Sequence, residues 1–341
     1  MGVNLKELTA RETITLDTLK HKTLVVDGHN MLYQFLTTIR QPDGTVLMDA
    51  KGRVTSHLIG LFSRTTKLMQ YGIKLAFVFD GKPPALKYKL LEERKAVKQE
   101  AQAAYEEAKA AEDVAAMKKY AGRTARLTKE MVAEAKHLCT LLGLPVVQAP
   151  SEGEAQMAAI VHAGDAWAGV SQDYDSLLYG CPRLIQNLSL SGKRKLPGSP
   201  KYVSVSPELI TLKTTLERLK LKPDQLLALA ILVGTDYNPK GIKGIGPKKA
   251  LKLVTEHDED YEKIFAAVKF DEISPVPWKS IWDTFKTMPV EQDYALAWKP
   301  CDSKALREYL VEERGFSVER VESALEALKQ QQHNQRSLGD F

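Results

Sequence analysis

Two apolar runs that each end in an aspartate place the strongest constraint on the fold. Residues 23–27 read Thr-Leu-Val-Val-Asp, and residues 73–80 read Ile-Lys-Leu-Ala-Phe-Val-Phe-Asp. Short, nearly continuous apolar runs of this kind are typical of parallel strands that are buried on both faces. Further strand candidates and the helical stretches between them lie at 143–147, 166–171, 54–71 and 127–142. The pattern predicts an α/β fold with a mainly parallel central sheet flanked by helices.

Seven acidic residues end or follow apolar runs, the last of them just after an apolar helix at 224–233: Asp27, Asp80, Glu152, Glu154, Asp173, Asp175 and Asp236. The carboxyl ends of parallel strands gather at one edge of an open sheet, where ligands bind, so we expect the acids to lie together. Clustered carboxylates need a counter-charge, and Mg²⁺ prefers oxygen ligands. Two such ions can activate a water and stabilise the leaving oxygen of a phosphodiester. The cluster therefore predicts metal-dependent phosphodiester hydrolysis.

Each acid also has a simpler structural reading when it is taken alone. The segment 151–154, Ser-Glu-Gly-Glu, fits a capping box before an apolar helix. Asp173 and Asp175 fit an Asx-turn, and Asp236 fits a helix cap. Only the joint occurrence of the acids in this order favours the metal site.

Residues 85–130 differ from the rest in being rich in Ala, Lys, Arg and Glu. Basic residues concentrate at 82–98 and 117–129, whereas the middle, 99–116, holds five acids and one Lys. We expect one or two helices outside the core, whose basic ends line an anionic path. A solvated helix with i,i+4 ion pairs is the alternative.

A glycine-rich turn lies between two predicted helices, an apolar one at 224–233 and one that begins at Pro247. Residues 241–249 read Gly-Ile-Lys-Gly-Ile-Gly-Pro-Lys-Lys. Gly244 and Gly246 permit a tight turn that presents backbone N–H groups and a helix N-terminus to an anion. Nearby lysines add positive charge: Lys243, Lys248 and Lys249. The turn predicts a phosphate contact, with a plain interhelical turn as the alternative.

Composition removes several classes of protein. Three widely spaced cysteines form neither a disulfide framework nor a zinc knuckle, and no apolar run reaches the roughly 20 residues that span a bilayer. The first residues lack an apolar signal core, so we expect an intracellular protein without a membrane partner. Residues 191–203 read as a loop, 303–332 as helix, and the last nine, from His333, as a mobile tail.

The order of the acidic motifs resembles the flap endonuclease family, from Gly2 to the last residue. The blocks are Val-Val-Asp27, Val-Phe-Asp80-Gly-Lys-Pro-Pro, Pro-Ser-Glu152-Gly-Glu154-Ala, Ser-Gln-Asp173-Tyr-Asp175-Ser-Leu-Leu and Gly-Thr-Asp236-Tyr. The resemblance implies a PIN-like 5′ nuclease core in which the seven acids bind two Mg²⁺, with Mn²⁺ as a substitute. Glu152, Glu154, Asp173 and Asp175 would hold one ion more directly. The other three acids, Asp27, Asp80 and Asp236, would complete the second site or its water shell.

The same resemblance assigns the basic elements. It implies a helical arch at 85–130 that admits a single-stranded 5′ flap, with Lys87 and Arg94 as catalytic cations. Tyr33 would stack on the base beside the cut, although core packing is its simpler reading. A helix–two-turn–helix at 224–256 would grip duplex DNA and carry K⁺. The DNA-binding set would be Tyr33, Arg40, Gly234, Gly244, Gly246, Lys243, Lys248 and Lys249.

The final residues, Gln335-Arg-Ser-Leu338-Gly-Asp-Phe341, resemble the sliding-clamp peptide Q-x-x-h-x-x-a-a, in which h is aliphatic and a is aromatic. Its last aromatic is missing, because the sequence ends at Phe341. A frayed terminus is the alternative. The resemblance implies binding to the clamp (PCNA) by Gln335, Leu338 and Phe341. No basic extension follows, so we expect an archaeal type, located in the cytoplasm or nucleoid.

We therefore expect a monomeric, Mg²⁺-dependent 5′-flap endonuclease with 5′–3′ exonuclease activity, acting in Okazaki-fragment maturation and base-excision repair. The expected regions are 1–84 and 131–332 for the nuclease, 85–130 for the arch and 333–341 for the tail. A 5′ exonuclease or a bubble or junction nuclease is one alternative within the superfamily. A non-catalytic DNA-branch binder recruited by the clamp is another, and a ribonuclease with a related acid-lined core is a third.

Overall fold

The computed structural model describes residues 3–111, 113–190, 192–195 and 202–339. The strands of the described chain are β1 (Arg11–Thr13), β2 (Thr23–Asp27), β3 (Lys74–Phe79), β4 (Val146–Gln148), β5 (Ala168–Val170), β6 (Arg183–Gln186), β7 (Gly192–Lys195), β8 (Tyr202–Val205) and β9 (Glu208–Thr211). Within the described residues, seven of these strands form one sheet in the order β1-β9-β6-β5-β2-β3-β4.

The centre of the sheet is parallel, and one side is closed by antiparallel strands. Strand β2 pairs in parallel with both β3 and β5, and the parallel arrangement continues to β4 and β6. Strands β9 and β1 are added antiparallel to β6 and to each other. The register places Asp27 opposite Val78, so β2 and β3 end at the same edge. The predicted mainly parallel α/β fold is confirmed.

Side chains of the central strands alternate between two buried layers, as a period of two requires. Leu24, Val26 and Phe77 point into one apolar cluster, and Val25 and Val78 into the other. All of these side chains are fully buried. Burial on both faces explains why the runs are apolar without interruption, and it makes the sheet a rigid base for groups at its edge.

Helices cover both faces of the sheet and extend away from it. Their bounds are α1 (Gly28–Thr38), α2 (Ser56–Gln70), α3 (Lys87–Ala110), α4 (Val114–Ala121), α5 (Lys129–Leu141), α6 (Gly153–Ala163), α7 (Asp175–Leu178), α8 (Leu212–Leu219), α9 (Pro223–Val233), α10 (Pro247–His257), α11 (Tyr261–Ala267), α12 (Phe270–Ile273), α13 (Trp278–Lys286), α14 (Ser303–Arg307) and α15 (Val318–Gly339). Helices α3 and α4 form the inserted pair that the composition predicted. They share a small apolar cluster made by Tyr105, Ala108, Met117 and Ala121.

Two sequence interpretations are wrong in part. Residues 191–203 were expected to be loop, but β7 and β8 pair as an antiparallel hairpin. The Tyr-Val-Ser-Val of β8 has the alternation that suits a strand. Residues 303–332 were expected to be helical throughout, but a π-helical turn (Glu308–Glu313) follows α14, and the helix breaks before α15. Gly315, with φ of +68°, ends the first segment in the left-handed region that glycine accepts readily.

Helix α15 continues beyond the predicted end at 332 to Gly339. In the described part of the chain, no helix has both the length and the apolar character needed to cross a membrane.

Candidate active site

Asp27 joins the end of β2 to the start of α1 and is almost completely buried. One carboxylate oxygen accepts the backbone N–H of Asn30 at 2.9 Å, which caps the helix. The other oxygen accepts the hydroxyl of Ser171 at 3.2 Å. A carboxylate at a helix N-terminus is stabilised by the helix dipole, so the strand-to-helix junction itself positions this acid.

Asp80 follows β3 and meets the start of α6. Its Oδ1 accepts the backbone N–H of Gly153 at 2.8 Å. A Cβ at Gly153 would lie 2.7 Å from the same oxygen, so only glycine permits this approach. The backbone N–H of Asp80 donates to His29 Nδ1 at 3.1 Å, which ties the residue to α1 as well. Asp80 is thus held from two neighbouring helices.

Glu152 and Glu154 flank Gly153 at the start of α6. Glu152 occupies the N-cap position without a side-chain cap, and the Ser151 hydroxyl donates instead to the carbonyl of Lys82 at 2.9 Å. The capping-box alternative for 151–154 is therefore wrong. Both glutamates are left to face the other acids.

Asp173 lies between β5 and α7, and Asp175 is the first residue of α7. The side-chain amide of Asn30 donates to Asp173 Oδ2 at 3.0 Å. Asp175 is buried, and its Oδ1 accepts the backbone N–H of Val3 at 2.8 Å. These contacts link the segment to α1 on one side and to the start of the chain on the other.

Mutual repulsion shows that the acids form one cluster. Burial, followed by the charges of Asp80 and Asp173, raises the pKa of Asp27 to about 8. Burial and the charge of Asp236 raise the pKa of Asp175 to about 7. Each of these carboxylates is thus harder to ionise because another lies near it.

The pKa values of Glu152 and Glu154 are also shifted by burial and by neighbouring charges of the cluster. Burial raises the pKa of Glu154 well above its ordinary value, and the charges of Asp175, Asp173 and Asp27 add to the effect. Burial also raises the pKa of Glu152, although Lys87 acts in the opposite direction. All seven predicted acids therefore meet at the carboxyl edge of the sheet.

The first turns of α3 place two positively charged side chains against this cluster. Lys87 Nζ lies 2.5 Å from Glu152 Oε2 and 3.1 Å from Asp236 Oδ2. Arg94 Nη2 lies 2.8 Å from Asp236 Oδ1. Burial acts against ionisation of Asp236, but Lys87 and Arg94 hold its pKa below the ordinary value. The two predicted catalytic cations are thus in direct contact with two of the predicted metal ligands.

The donor set fits divalent cations of the Mg²⁺ type. It consists of carboxylate oxygens, it is buried, and its charges repel each other, so a hard cation relieves the repulsion. Among the described residues, no group of three acidic, histidine or cysteine side chains is arranged so that it could hold a metal ion. Mg²⁺ does not need such a group, because it keeps several waters and takes only one or two carboxylates directly.

Two predicted DNA contacts lie on α1 and just after it. Tyr33 is 38% exposed, which excludes the core-packing alternative. Lys98 Nζ, from α3, lies 4.9 Å from the centre of its ring. Arg40 is half-buried and donates to the carbonyls of Leu36 at 2.8 Å and Gly44 at 2.9 Å. Arg40 therefore organises the turn after α1, and its predicted role in DNA binding stays a prediction.

The glycine-rich turn joins α9 to α10 as the sequence predicted. Gly234 ends α9 with φ of +119°, and Gly246 is the N-cap of α10, with Pro247 in the first turn. At Gly241, with φ of +52°, a Cβ would lie 2.2 Å from a backbone carbonyl oxygen of α9. Gly244 is exposed, as are the three lysines predicted for phosphate contact: Lys243, Lys248 and Lys249.

The predicted clamp motif cannot be placed in the site. Phe341 lies outside the described residues, and so do the side chains of Gln335 and Leu338, whose backbone belongs to α15.

Sequence reasoning missed the neutral residues that hold the acids. Asn30 and Ser171 bind Asp27 and Asp173, and His29 binds the backbone of Asp80. His29 and Asn30 lie two and three positions after Asp27, and polar residues so close behind the acid are the only local signal that could have marked them. Asp80 and Asp173, the partners of the two side chains, are far away in the chain and become their neighbours only through the parallel sheet.

Comparison with known proteins agrees with this geometry. The XPG N-terminal domain family matches residues 2–101, and the XPG I-region family matches residues 143–236. Flap endonuclease 1 of Hyperthermus butylicus is 54% identical over 332 residues, covering 96% of this chain and 94% of the relative. Flap endonuclease 1 of Staphylothermus marinus is 52% identical over the same share of both chains. The structure of flap endonuclease-1 from Methanococcus jannaschii superposes with a TM-score of 0.76 and 38% identity, over 98% of this chain and all of that one.

The two family matches put the chain among the XPG-type nucleases, whose metal dependence suits an acid cluster at the edge of a parallel sheet. Identity of about half extends over nearly the whole length of both relatives. The chain therefore belongs to the flap endonuclease 1 family, in its archaeal type. The family, fold and enzyme class predicted from the sequence are confirmed.

Proposed function

We propose that the chain hydrolyses a phosphodiester near the base of a single-stranded 5′ flap on duplex DNA, and also removes nucleotides from 5′ ends. The activity belongs to its family, as do roles in Okazaki-fragment maturation and base-excision repair. The observation that carries the proposal here is the contact of Lys87 with Glu152 and Asp236. It brings the basic end of the arch and the acidic edge of the sheet to one point, as hydrolysis of an anionic ester requires.

The seven acids would hold two Mg²⁺, with Mn²⁺ able to substitute. Bound there, the ions supply an activated water and stabilise the leaving oxygen. The chain's own part is to gather the carboxylates and hold them in place, and the bound cations would favour their ionised form. Raised pKa values of Asp27 and Asp175 show that buried charge is held at a cost in stability, which a bound cation offsets.

Lys87 and Arg94 would contact the scissile phosphate. Both lie on α3, and both are held by carboxylates of the cluster, so they lie where the arch meets the acids. A guanidinium and an ammonium directed at the developing negative charge stabilise the transition state more than the substrate. Tyr33, exposed on α1 beneath Lys98, would stack on the neighbouring base.

The turn between α9 and α10 would grip the duplex through its phosphates. Exposed lysines and the N-terminus of α10 offer charge and backbone donors, which are groups suited to phosphates. Binding should therefore depend strongly on salt and little on sequence. K⁺ would bind at this turn, as the resemblance to the family implies.

The tail would bind the sliding clamp through Gln335, Leu338 and Phe341, and the enzyme would act as an intracellular monomer. Surface plasmon resonance with a clamp of the PCNA type would test the first point. Leu338→Ala combined with Phe341→Ala should abolish binding and leave cleavage of a flap in solution unchanged.

Cleavage of one labelled 5′-flap duplex in Mg²⁺ would test the main proposal, with blunt and bubble duplexes as substrate controls. The native chain should cut the flap preferentially. Asp173→Ala should bind the same DNA but cut it at least about 10²-fold more slowly. Asp293→Ala removes an exposed acid outside the cluster and should cut normally. Binding without Mg²⁺-dependent cutting by the native chain would leave a non-catalytic branch binder as the better description.

A further inference from the structure

The geometry points to Asn30 as a positioning residue that fixes the carboxylate of Asp173, and with it the acidic segment after β5, for binding of divalent cations. The inference rests on the metal site proposed above. It adds to that site a neutral side chain that would affect metal binding by orienting an acidic ligand, without binding the metal itself.

The amide of Asn30 has only one orientation that satisfies its neighbours. Its Oδ1 accepts the backbone N–H of Gln172 at 3.1 Å, and its Nδ2 donates to Asp173 Oδ2 at 3.0 Å. A backbone N–H can only donate, so the oxygen must face Gln172, and the NH₂ group must face Asp173. Asp173 therefore receives a donor, and the segment is held at two adjacent residues by one side chain.

Asn30 is itself fixed by a second acid of the cluster. Its backbone N–H donates to Asp27 Oδ1 at 2.9 Å. Ser171 completes a ring, because its hydroxyl donates to Asp27 Oδ2 at 3.2 Å and accepts the backbone N–H of Asp173 at 3.2 Å. The end of β2 and the segment after β5 are thus joined through four residues, each bound to two others.

The chemistry of the amide suits this task. The charge of Asp173 opposes ionisation of Asp27, so a bridge between them has to add no further negative charge. An amide is neutral and offers both a donor and an acceptor. Hydrogen-bond partners of metal-binding carboxylates orient them, and their removal typically weakens metal affinity or activity by roughly 10- to 100-fold.

Binding of Mn²⁺ to the full-length protein without DNA, followed by electron paramagnetic resonance, tests the inference independently of cleavage. Asn30→Leu keeps the approximate size but loses donor and acceptor, and it should bind Mn²⁺ roughly 10- to 100-fold more weakly. The Mg²⁺ concentration for half-maximal cleavage should rise in parallel, while the rate at saturating Mg²⁺ stays within a few-fold of native. Tyr294→Phe is the control, because it removes a 2.6 Å hydrogen bond to Asp165, which precedes β5 and lies at the end of the strand away from the acids. It should leave the Mn²⁺ affinity and the Mg²⁺ dependence of cleavage unchanged.

A double-mutant cycle separates positioning from a general loss of structure. In an Asp173→Asn background, Asn30→Leu should cause little further loss of Mn²⁺ affinity, because the carboxylate on which it acts is gone. Thermal unfolding in EDTA verifies folding, and Asn30→Ala, which suits a helix, replaces the leucine variant if that one is unfolded. Native Mn²⁺ affinity in Asn30→Leu, or an equal loss in both backgrounds, would overturn the inference. If the native chain bound no Mn²⁺, the proposed metal site itself would fail, and this inference with it.

Discussion

Asp27→Asn should stabilise the metal-free protein at alkaline pH while it removes a predicted metal ligand. The carboxylate is 6% exposed, and burial together with Asp80 and Asp173 raises its pKa from 3.8 to about 8. Because this pKa is higher in the folded state than in the unfolded chain, the folded state binds more protons between these two values. The stability of the metal-free protein therefore falls as the pH rises through this window, and the full cost is present above pH 8.

The size of the effect follows from the shift in pKa. One unit corresponds to about 1.4 kcal/mol, so a rise from 3.8 to about 8 sets a ceiling of about 6 kcal/mol. Asparagine keeps the oxygen that caps α1, but its NH₂ group requires the Ser171 hydroxyl to turn and accept. Asp80 and Asp173 remain in the variant, so the repulsion between these two carboxylates is not relieved. We therefore expect a gain of about 2–3 kcal/mol, or about 3–4 °C in Tm for a chain of this length.

Thermal unfolding followed by circular dichroism in EDTA, at pH 4 and at pH 8.5, would measure the effect. The variant should melt above the native chain at pH 8.5 and close to it at pH 4. Excess Mg²⁺ should stabilise the native chain more than the variant. Asp260→Asn is the matched control of opposite sign, because a hydrogen bond from Lys263 lowers the pKa of Asp260. A Tm of Asp27→Asn at pH 8.5 that is equal to or below the native value would refute the argument.

Three further variants test the cations and the turn. Lys87→Ala removes the ammonium that contacts Glu152 and Asp236, and it should slow single-turnover cleavage by about 10²- to 10³-fold. Its affinity for the flap substrate, measured by fluorescence anisotropy, should change little. A loss of affinity without a loss of rate would contradict a role in the chemical step. Gly241→Ala would bring a Cβ within 2.2 Å of a backbone carbonyl, so it should weaken duplex binding and lower Tm together, and an unchanged Tm would show that the turn adapts. Lys248→Gln should weaken binding to all sequences alike and reduce the slope of log K against log salt by about 1, whereas a sequence-dependent loss would argue against a phosphate contact.

Local pattern was sufficient for those parts of the fold in which burial alone dictates the sequence. Strands β2 and β3 are buried on both faces, so their apolar runs stand out, and the acids that end them mark the functional edge. Strand β9 is short, half-buried and antiparallel, and its Glu-Leu-Ile-Thr carries no comparable signal. Its place depends on pairing with β6, which only the tertiary fold supplies.

The candidate active site likewise contains residues that the local sequence predicts and residues that it does not. The carboxylates could be predicted because they end or follow apolar runs, and because the order of their motifs resembles that of the flap endonuclease family. Asn30 could not, because its role depends on Asp173, which lies 143 positions away in sequence. The break between α14 and α15 had a local signal in Gly315, but a glycine within a helical pattern is common enough that it does not decide the matter alone.

The contacts between the arch and the acidic edge of the sheet suggest how binding of metal ions and binding of DNA would be coupled. The acids are attached to a rigid parallel sheet, whereas Lys87 and Arg94 are attached to an inserted helix pair with a small cluster of its own. A phosphate that enters between them offers both cations a new anion, and divalent cations offer the carboxylates a new counter-charge. If Lys87 and Arg94 exchanged their carboxylates for a phosphate, either ligand alone would leave one set of charges without compensation, so metal and DNA would bind cooperatively. By reciprocity, DNA should then raise the affinity for the metal by the factor by which the metal raises the affinity for DNA.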